Sequence, residues 1–180
     1  MEDVRTVSIA ALPQSTQAFV ALRNRVAREP HGAAVMMALA LLIYGASDDR
    51  FVGCDCLTIA VDRQRLEESR EGYRGWCLAE LDMRLIASQL AAQPFLPKSY
   101  IQGATPENNY QLPSPPFAFE CPLDPYSGDT GMGTYKTFIN SSGASGPRPV
   151  TVKRNGRGLW KAVEWSSLIV GIREPQAIQG

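Results

Sequence analysis

The first helix is predicted by apolar residues that recur every three or four positions. Phe19, Leu22 and Val26 form one apolar stripe, the spacing of a helix that packs on one side. Ser15 or Thr16 precedes the stripe, and a side-chain oxygen there caps the free N–H groups of a helix start. We therefore predict a helix from this cap to about residue 28.

The second predicted helix, from about Gly32 to Tyr44, is apolar on nearly every side. Pro30 suits its first turn, and Gly45 suits its end. Because no polar face is left for solvent, we expect this helix to lie at the centre of the fold. Its large apolar residues are Val35, Met36, Met37, Leu39, Leu41, Leu42 and Ile43.

Two further helices are predicted before a break at Pro94. One begins at caps within Ser47–Asp49 and ends near Arg65, although residues 56–61 half-alternate and also fit a strand. The other runs from Leu78 to Ala92. Its predicted apolar face is Leu78, Leu81 and Leu85 with Ser88, beside Met83, Ile86 and Leu90. Tyr73–Trp76 is predicted to be a connector, and Glu67, Glu68 and Glu71 a solvated helix end.

The composition changes after Pro94, because eight of the 13 prolines lie between Pro94 and Pro125. Proline excludes helix interiors and central strands. We predict an ordered crossing with one edge strand at Phe117–Cys121. A loop at 127–133 then leads to a strand from Thr134 to Ile139.

The last predicted element is a hairpin around Asn155-Gly156, a strong turn signal between two strand-forming runs. A two- or four-residue loop would bury Leu159 and Val163 with Val150 and Val152, whereas a three-residue loop would bury Trp160 and Ala162 instead. Beyond Trp165 the apolar positions change parity. Either a one-residue bulge at Ser166-Ser167 reconciles the two halves, or the strand passes from one buried layer to another.

These elements predict an α+β fold in a single domain, residues 1–180. About four helices in residues 1–93 would pack on a small antiparallel sheet in residues 134–175. Residues 94–133 would wrap the seam between the two halves. A chain of this length buries enough surface to need no disulfides or metal.

Charge and composition narrow the function classes. Lysine plus arginine and aspartate plus glutamate are 18 each, and this neutrality argues against nucleic acid, whose partners usually carry a basic excess. The longest apolar run, Ala33 to Tyr44, is too short to span a membrane, which takes about 20 residues. With no apolar export signal near the start and four cysteines that fit reduced thiols, we expect a cytoplasmic protein.

Over most of its length the chain resembles an uncharacterised bacterial family known only as a domain of unknown function. The residues that carry the resemblance are Ser142-Gly143-Ala144, Pro147-Arg148-Pro149-Val150-Thr151, Trp160-Lys161, Glu164-Trp165-Ser166-Ser167-Leu168 and Gly171-Ile172-Arg173, with Tyr73-Arg74-Gly75 and 100–108 upstream. In that family an acid and a serine usually precede the Pro-Arg-Pro, where this chain has Ser145-Gly146. The resemblance implies no activity.

No catalytic, metal or cofactor site is predicted. Cys54 and Cys56 are too few for a zinc site, and with His31 as the single histidine a nucleophile–histidine device is not expected. Ser141–Gly146 lacks the Gly-Lys-Ser/Thr ending of a phosphate loop. Arg148 beside it either meets an anion, packs, or pairs with an acid such as Glu164.

Two candidate surfaces remain. The first is a ligand cleft at the seam, because amides and tyrosines there would line a pocket, unless they only satisfy the backbone of the crossing. Its residues are Tyr100, Gln102, Asn108, Tyr110 and Arg148. The second is a basic interaction surface on the hairpin, formed by Lys153, Arg154, Arg157, Trp160 and Lys161.

Since titratable groups suited to catalysis are scarce, we expect a non-enzymatic protein-interaction module of a bacterial cytoplasm, a neutraliser of another protein or an assembly component. The alternative is a small-molecule or anion-binding protein, with or without enzymatic activity, that uses the seam cleft. Nucleic-acid binding through the basic hairpin ranks third.

Overall fold

The structure, a computed structural model, describes residues 3–46 and 50–176. It is an α+β fold, as predicted, with four α-helices and seven strands within these ranges. The helices are α1 (Thr16–Val26), α2 (Pro30–Ala46), α3 (Arg50–Ala60) and α4 (Glu80–Ala92). The strands are β1 (Val4–Ile9), β2 (Leu66–Tyr73), β3 (Trp76–Leu78), β4 (Phe117–Pro122), β5 (Thr134–Ile139), β6 (Arg148–Arg154) and β7 (Trp160–Glu164).

The helix α2 forms the centre of the core, as its apolar sequence predicts. Every residue from Gly32 to Leu42 is buried. The helix packs against α1 and α3 on one side and against β5, β6 and β7 on the other. Since neighbours cover it all round, its helical stability comes from packing rather than from capping.

The first two helices meet at a tight corner. Ser15 caps α1, because its side-chain oxygen accepts a hydrogen bond from the N–H of Ala18 at 3.1 Å. Pro30 opens α2. At Gly32 the chain passes so close to the end of α1 that a Cβ atom would lie 1.8 Å from the carbonyl oxygen of Val26.

The strands form three separate antiparallel sheets rather than one. They are β1–β4, β2–β3 and β5–β6–β7. The crossing strand β4, predicted at Phe117–Cys121, pairs with the N-terminal strand β1, which the hydrophobic pattern did not predict. The third sheet is the C-terminal one on which α2 packs.

The hydrophobic pattern predicted the wrong structure between α3 and α4. The helix α3 ends at Ala60, not near Arg65, and a 3-10 turn follows at Arg63–Arg65. The hairpin β2–β3 contains Glu67, Glu68 and Glu71, which were predicted to be a solvated helix end, and 73–76, which was predicted to be a connector. The predicted caps at Ser47–Asp49 lie outside the described residues.

The buried face of α4 is also not the predicted one. Leu81 is 78% exposed and Leu85 39%, whereas Ile86 and Leu90 are buried and Met83 packs against the core. Leu78 lies in β3, before the helix begins. Leu81 and Leu85 on one face and Met83, Ile86 and Leu90 on the other all have helical spacing, so the spacing alone could not decide which face is buried.

The strands β6 and β7 are joined by five residues, 155–159. Arg154 is opposite Trp160, and Val152 is opposite Ala162. An odd number of loop residues gives the same parity as the three-residue alternative, so Trp160 and Ala162 are buried with Val150 and Val152.

The bulge predicted at Ser166-Ser167 is replaced by a 3-10 turn over Ser166–Ile169. The register shift lies earlier, opposite Thr151 and Val152.

Within the described ranges, no helix combines the length and the apolar character needed to cross a membrane. The four cysteines are all free thiols. No group of three or more metal-binding side chains comes together in the part of the chain that the structure describes.

Candidate functional site

A cleft of about 430 Å³ lies where the end of α3, the β2–β3 hairpin and the β6–β7 loop meet beside α1. Five of its lining residues are cations, which we call the basic cluster: Arg23, Arg63, Arg74, Arg157 and Lys161. They come from five different segments of the chain.

The β2–β3 hairpin forms one wall of the cleft. Arg74 and Gly75 both have positive φ, at 51° and 86°, as the two central residues of a type I′ hairpin turn require. Tyr73 and Trp76 flank this turn and lie opposite each other on the two strands, and both rings line the cleft. Gly72 allows the close approach, because a Cβ there would lie 2.1 Å from the Trp76 carbonyl oxygen.

Two arginines of the basic cluster lie over these rings. The guanidinium carbon of Arg63 is 4.2 Å from the centre of the Trp76 ring. That of Arg74 is 5.5 Å from the centre of the Tyr73 ring. Cation–π attraction orders a side chain without neutralising its charge, so both arginines retain hydrogen-bond donors for a ligand.

Lys161 is held at the floor of the cleft by the end of α3. The N–H of Asp62 donates to the carbonyl of Ala162 at 2.8 Å, which fixes β7 against this end. The Lys161 ammonium donates to the Ile59 carbonyl, one of the terminal carbonyls that a helix leaves unpaired. Cations are favoured at this end of a helix.

The pKa of Lys161 is lowered to about 8, chiefly by burial and then by Arg23, while Asp62 opposes the shift. Lys161 is therefore charged at neutral pH and loses its charge as the pH rises through about 8.

Arg157 is presented by the β6–β7 loop. The side-chain oxygen of Asn155 accepts from the N–H groups of Arg157 and Leu159, at 2.9 and 3.1 Å. Gly158 adopts φ of 77°, which closes the loop. The asparagine thus fixes the backbone of the loop and leaves the Arg157 side chain exposed at the cleft.

The basic cluster is not balanced by acids. Among the described residues, Asp62 is the one acidic residue that lines the cleft, and its carboxylate accepts a hydrogen bond from the N–H of Gln64. Over residues 3–46 and 50–176, no carboxylate oxygen lies within 4.0 Å of a charged nitrogen of the cluster. Burial and the repulsion of Arg157 and Arg74 lower the pKa of Arg23. An anion bound here would relieve that repulsion.

The tyrosines predicted for a seam cleft lie in the core. Tyr100 is 1% exposed, and its hydroxyl donates to the Leu168 carbonyl. Tyr110 is also buried, stacks on Phe95, and donates to the Arg173 carbonyl at 2.6 Å. Both hydroxyls therefore join the crossing to the C-terminal segment.

The polar residues predicted for the same site also bond mainly to backbone. Asn108 caps a 3-10 turn and donates to the Gly103 carbonyl at 2.7 Å. Arg148 donates to the carbonyls of Ser167, Val170 and Gly171, and not to Glu164.

A smaller cavity of about 360 Å³ brings Tyr100 and Gln102 together, but Asn108, Tyr110 and Arg148 do not line it.

The predicted basic surface is divided between different environments. Trp160 is 3% exposed and belongs to the core. Lys153 and Arg154 are exposed on β6, whereas Arg157 and Lys161 enter the cleft. The cleft residues that sequence reasoning missed are Arg23, Arg63, Arg74, Tyr73 and Trp76. The Tyr-Arg-Gly-Trp order, an Arg-Gly turn between two rings, was the available signal.

Fold and site together define an α+β protein with a basic, aromatic-lined cleft. Residues 11–176 match the model of the family described as Domain of unknown function (DUF6935), and the chain belongs to that family. No curated protein and no solved structure is significantly similar to it.

Proposed function

We propose that this protein binds a small anionic molecule in the cleft. The observation that carries this function is the excess of five cations over one acid in a single cavity, counted over the described residues, among which no ion pair neutralises the five. Crowding like charges costs free energy, and a bound anion would recover it.

The residue types indicate a phosphate or carboxylate ligand. Arginine presents a planar fork of donors that matches both groups, and four of the five cations are arginines. A volume of about 430 Å³ lies in the range of small-molecule pockets. The rings of Tyr73 and Trp76 add an apolar wall, which favours an anion that also carries a planar or apolar group.

Chemical-shift mapping tests this site. We expect pyrophosphate, titrated into ¹⁵N-labelled protein at pH 7, to shift the amide signals of Arg63, Arg74, Arg157 and Lys161 and the indole signal of Trp76. Anions act on amides within a few ångströms, so the changes should concentrate in these segments.

Sodium chloride at equal ionic strength is the control, and it should leave these signals in place. Shifts confined to the seam loop at Tyr100 and Gln102 would move the ligand site there. No saturable shift at millimolar pyrophosphate would contradict anion binding by this protein.

A protein-interaction module is the second candidate, favoured by an unexpected surface on α4. Leu81 and Leu85 are one turn apart and exposed, and exposed apolar side chains in adjacent positions are typical of contact surfaces. We expect a stoichiometric partner to co-purify with the chain from its native host, and Leu81→Glu with Leu85→Glu to release it. A partner retained by the double variant would exclude this surface.

A further inference from the structure

The cleft is the first of three cavities that are linked by shared lining residues, and we call the three together the groove. A second cavity, of about 320 Å³, shares Arg23, Tyr73, Arg74 and Arg157 with it. A third cavity, of about 410 Å³, shares Arg28 with the second. Shared residues therefore link the three in order, from the β2–β3 hairpin past α1 to the start of α2, the second and third through Arg28 alone.

The whole groove is strongly basic. In the part of the chain that the structure describes, two acids line it, Asp62 and Glu29, and Glu29 lies 2.8 Å from the His31 ring. Eight of the 18 basic residues line it: Arg5, Arg23, Arg28, Arg63, Arg74, Arg154, Arg157 and Lys161. The neutral net charge hides this segregation, because the remaining surface carries most of the acids. Local potential rather than net charge attracts a ligand to a groove.

The dimensions indicate a ligand with repeating units. Each cavity has the volume of a small-molecule site, so one anion that fills the cleft leaves Arg5, Arg28 and Arg154, which line only the other two cavities, without an anion. Aromatic rings recur with the cations. Tyr73 and Trp76 line the cleft, and Tyr135 lines the third cavity, whereas the Trp160 ring beside it is buried in the core. Cations that follow a phosphate backbone, with rings on which bases stack, are the recognition mode of single strands.

We propose that the groove binds single-stranded nucleic acid, one nucleotide in the cleft and the following ones along the second and third cavities. This binding mode rests on the proposed function, since the cleft is its first phosphate site. Phosphates contact the arginines, and unpaired bases contact the rings of Tyr73, Trp76 and Tyr135. The bases of a duplex are already paired and stacked and could not make these contacts.

Fluorescence anisotropy with labelled oligo(dT) and oligo(U) of three, six, nine and twelve nucleotides tests the length of the site. We expect the affinity to rise at least tenfold from the trimer to the nonamer and then to level off. Contacts to about five phosphates give a salt slope near −3.5, so affinity should fall about 100-fold between 50 and 200 mM salt. Comparing oligo(dT) with oligo(U) shows whether the groove prefers DNA or RNA.

A variant of the third cavity separates this inference from the proposed function. Arg5 and Arg154 line the third cavity and neither of the other two. Arg5→Gln with Arg154→Gln should weaken nonamer binding about tenfold and leave pyrophosphate binding unchanged. Arg70→Gln with Lys153→Gln removes the same charge from exposed residues outside the three cavities and should change neither.

Pyrophosphate binding without a gain from trimer to nonamer would overturn the groove and leave the cleft function standing. If the wild-type protein did not bind pyrophosphate at all, both the groove and the cleft function would be overturned. Inorganic polyphosphate or an abasic strand that binds as tightly as oligo(dT) of equal charge would overturn the role of the bases. Equal losses in the Arg5/Arg154 and Arg70/Lys153 variants would show a diffuse charge effect and overturn the third cavity.

Discussion

Replacing Gly32 by alanine is expected to lower the free energy of unfolding by about 3 kcal/mol, at the upper end of the usual overpacking cost. The added Cβ would lie 1.8 Å from the Val26 carbonyl oxygen and 2.7 Å from its carbon. These are backbone atoms at the end of α1, so no side chain can rotate away. The corner between α1 and α2 must open instead, which displaces the central helix.

Thermal unfolding measures this effect, and in a chain of this size about 3 kcal/mol corresponds to a fall in Tm of about 10 °C. Gly45→Ala is the matched control on the same helix. There the Cβ would meet only Leu90 Cδ1, at 3.5 Å, and alanine favours a helix over glycine by up to about 1 kcal/mol. The two variants should differ in sign. An unchanged Tm for Gly32→Ala would contradict the close packing of the corner.

The N-terminal helices were predictable because their signals are local. Ser15 caps α1 through a residue three positions later, and Pro30 marks the start of α2 in the sequence itself. The unbroken apolar run of α2 also predicted its place at the centre. Each of these inferences depends on neighbours along the chain rather than on the tertiary fold.

Elements that depend on distant partners were missed or misassigned. The strand β1 is mostly exposed and forms because β4 pairs with it. The β2–β3 hairpin has few apolar residues, and its turn signal, Arg74-Gly75, is weaker than Asn-Gly. On α4 the helical spacing fits two apolar faces, and only the position of the core decides which of them is buried.

The candidate site was predicted only in part for the same reason. Arg157 and Lys161 stand close together in a basic stretch and were identified from it. Arg23, Arg63 and Arg74 are each unremarkable in the sequence, and the fold brings them to the same cleft. Conversely, Tyr100 and Arg148 were predicted to line a ligand site, but both donate hydrogen bonds to backbone carbonyls.

Removing two charges from the cleft is expected to weaken anion binding about 100-fold. A hydrogen bond to a charged group contributes about 1.5 kcal/mol or more, so losing two costs close to 3 kcal/mol. Arg157→Gln with Lys161→Gln makes this change. Arg157 is exposed on its loop, and glutamine at 161 still offers an N–H to the Ile59 carbonyl. The fold should therefore persist, as circular dichroism would show.

Isothermal titration calorimetry with pyrophosphate at pH 7 and low salt tests the central claim most directly. Arg70→Gln with Lys153→Gln is the matched control, since both residues are exposed and neither lines the cleft. We predict saturable binding at one site in the wild type and the control, and a Kd about 100-fold higher in the Arg157/Lys161 variant. Equal Kd values in all three folded proteins would contradict anion binding in this cleft.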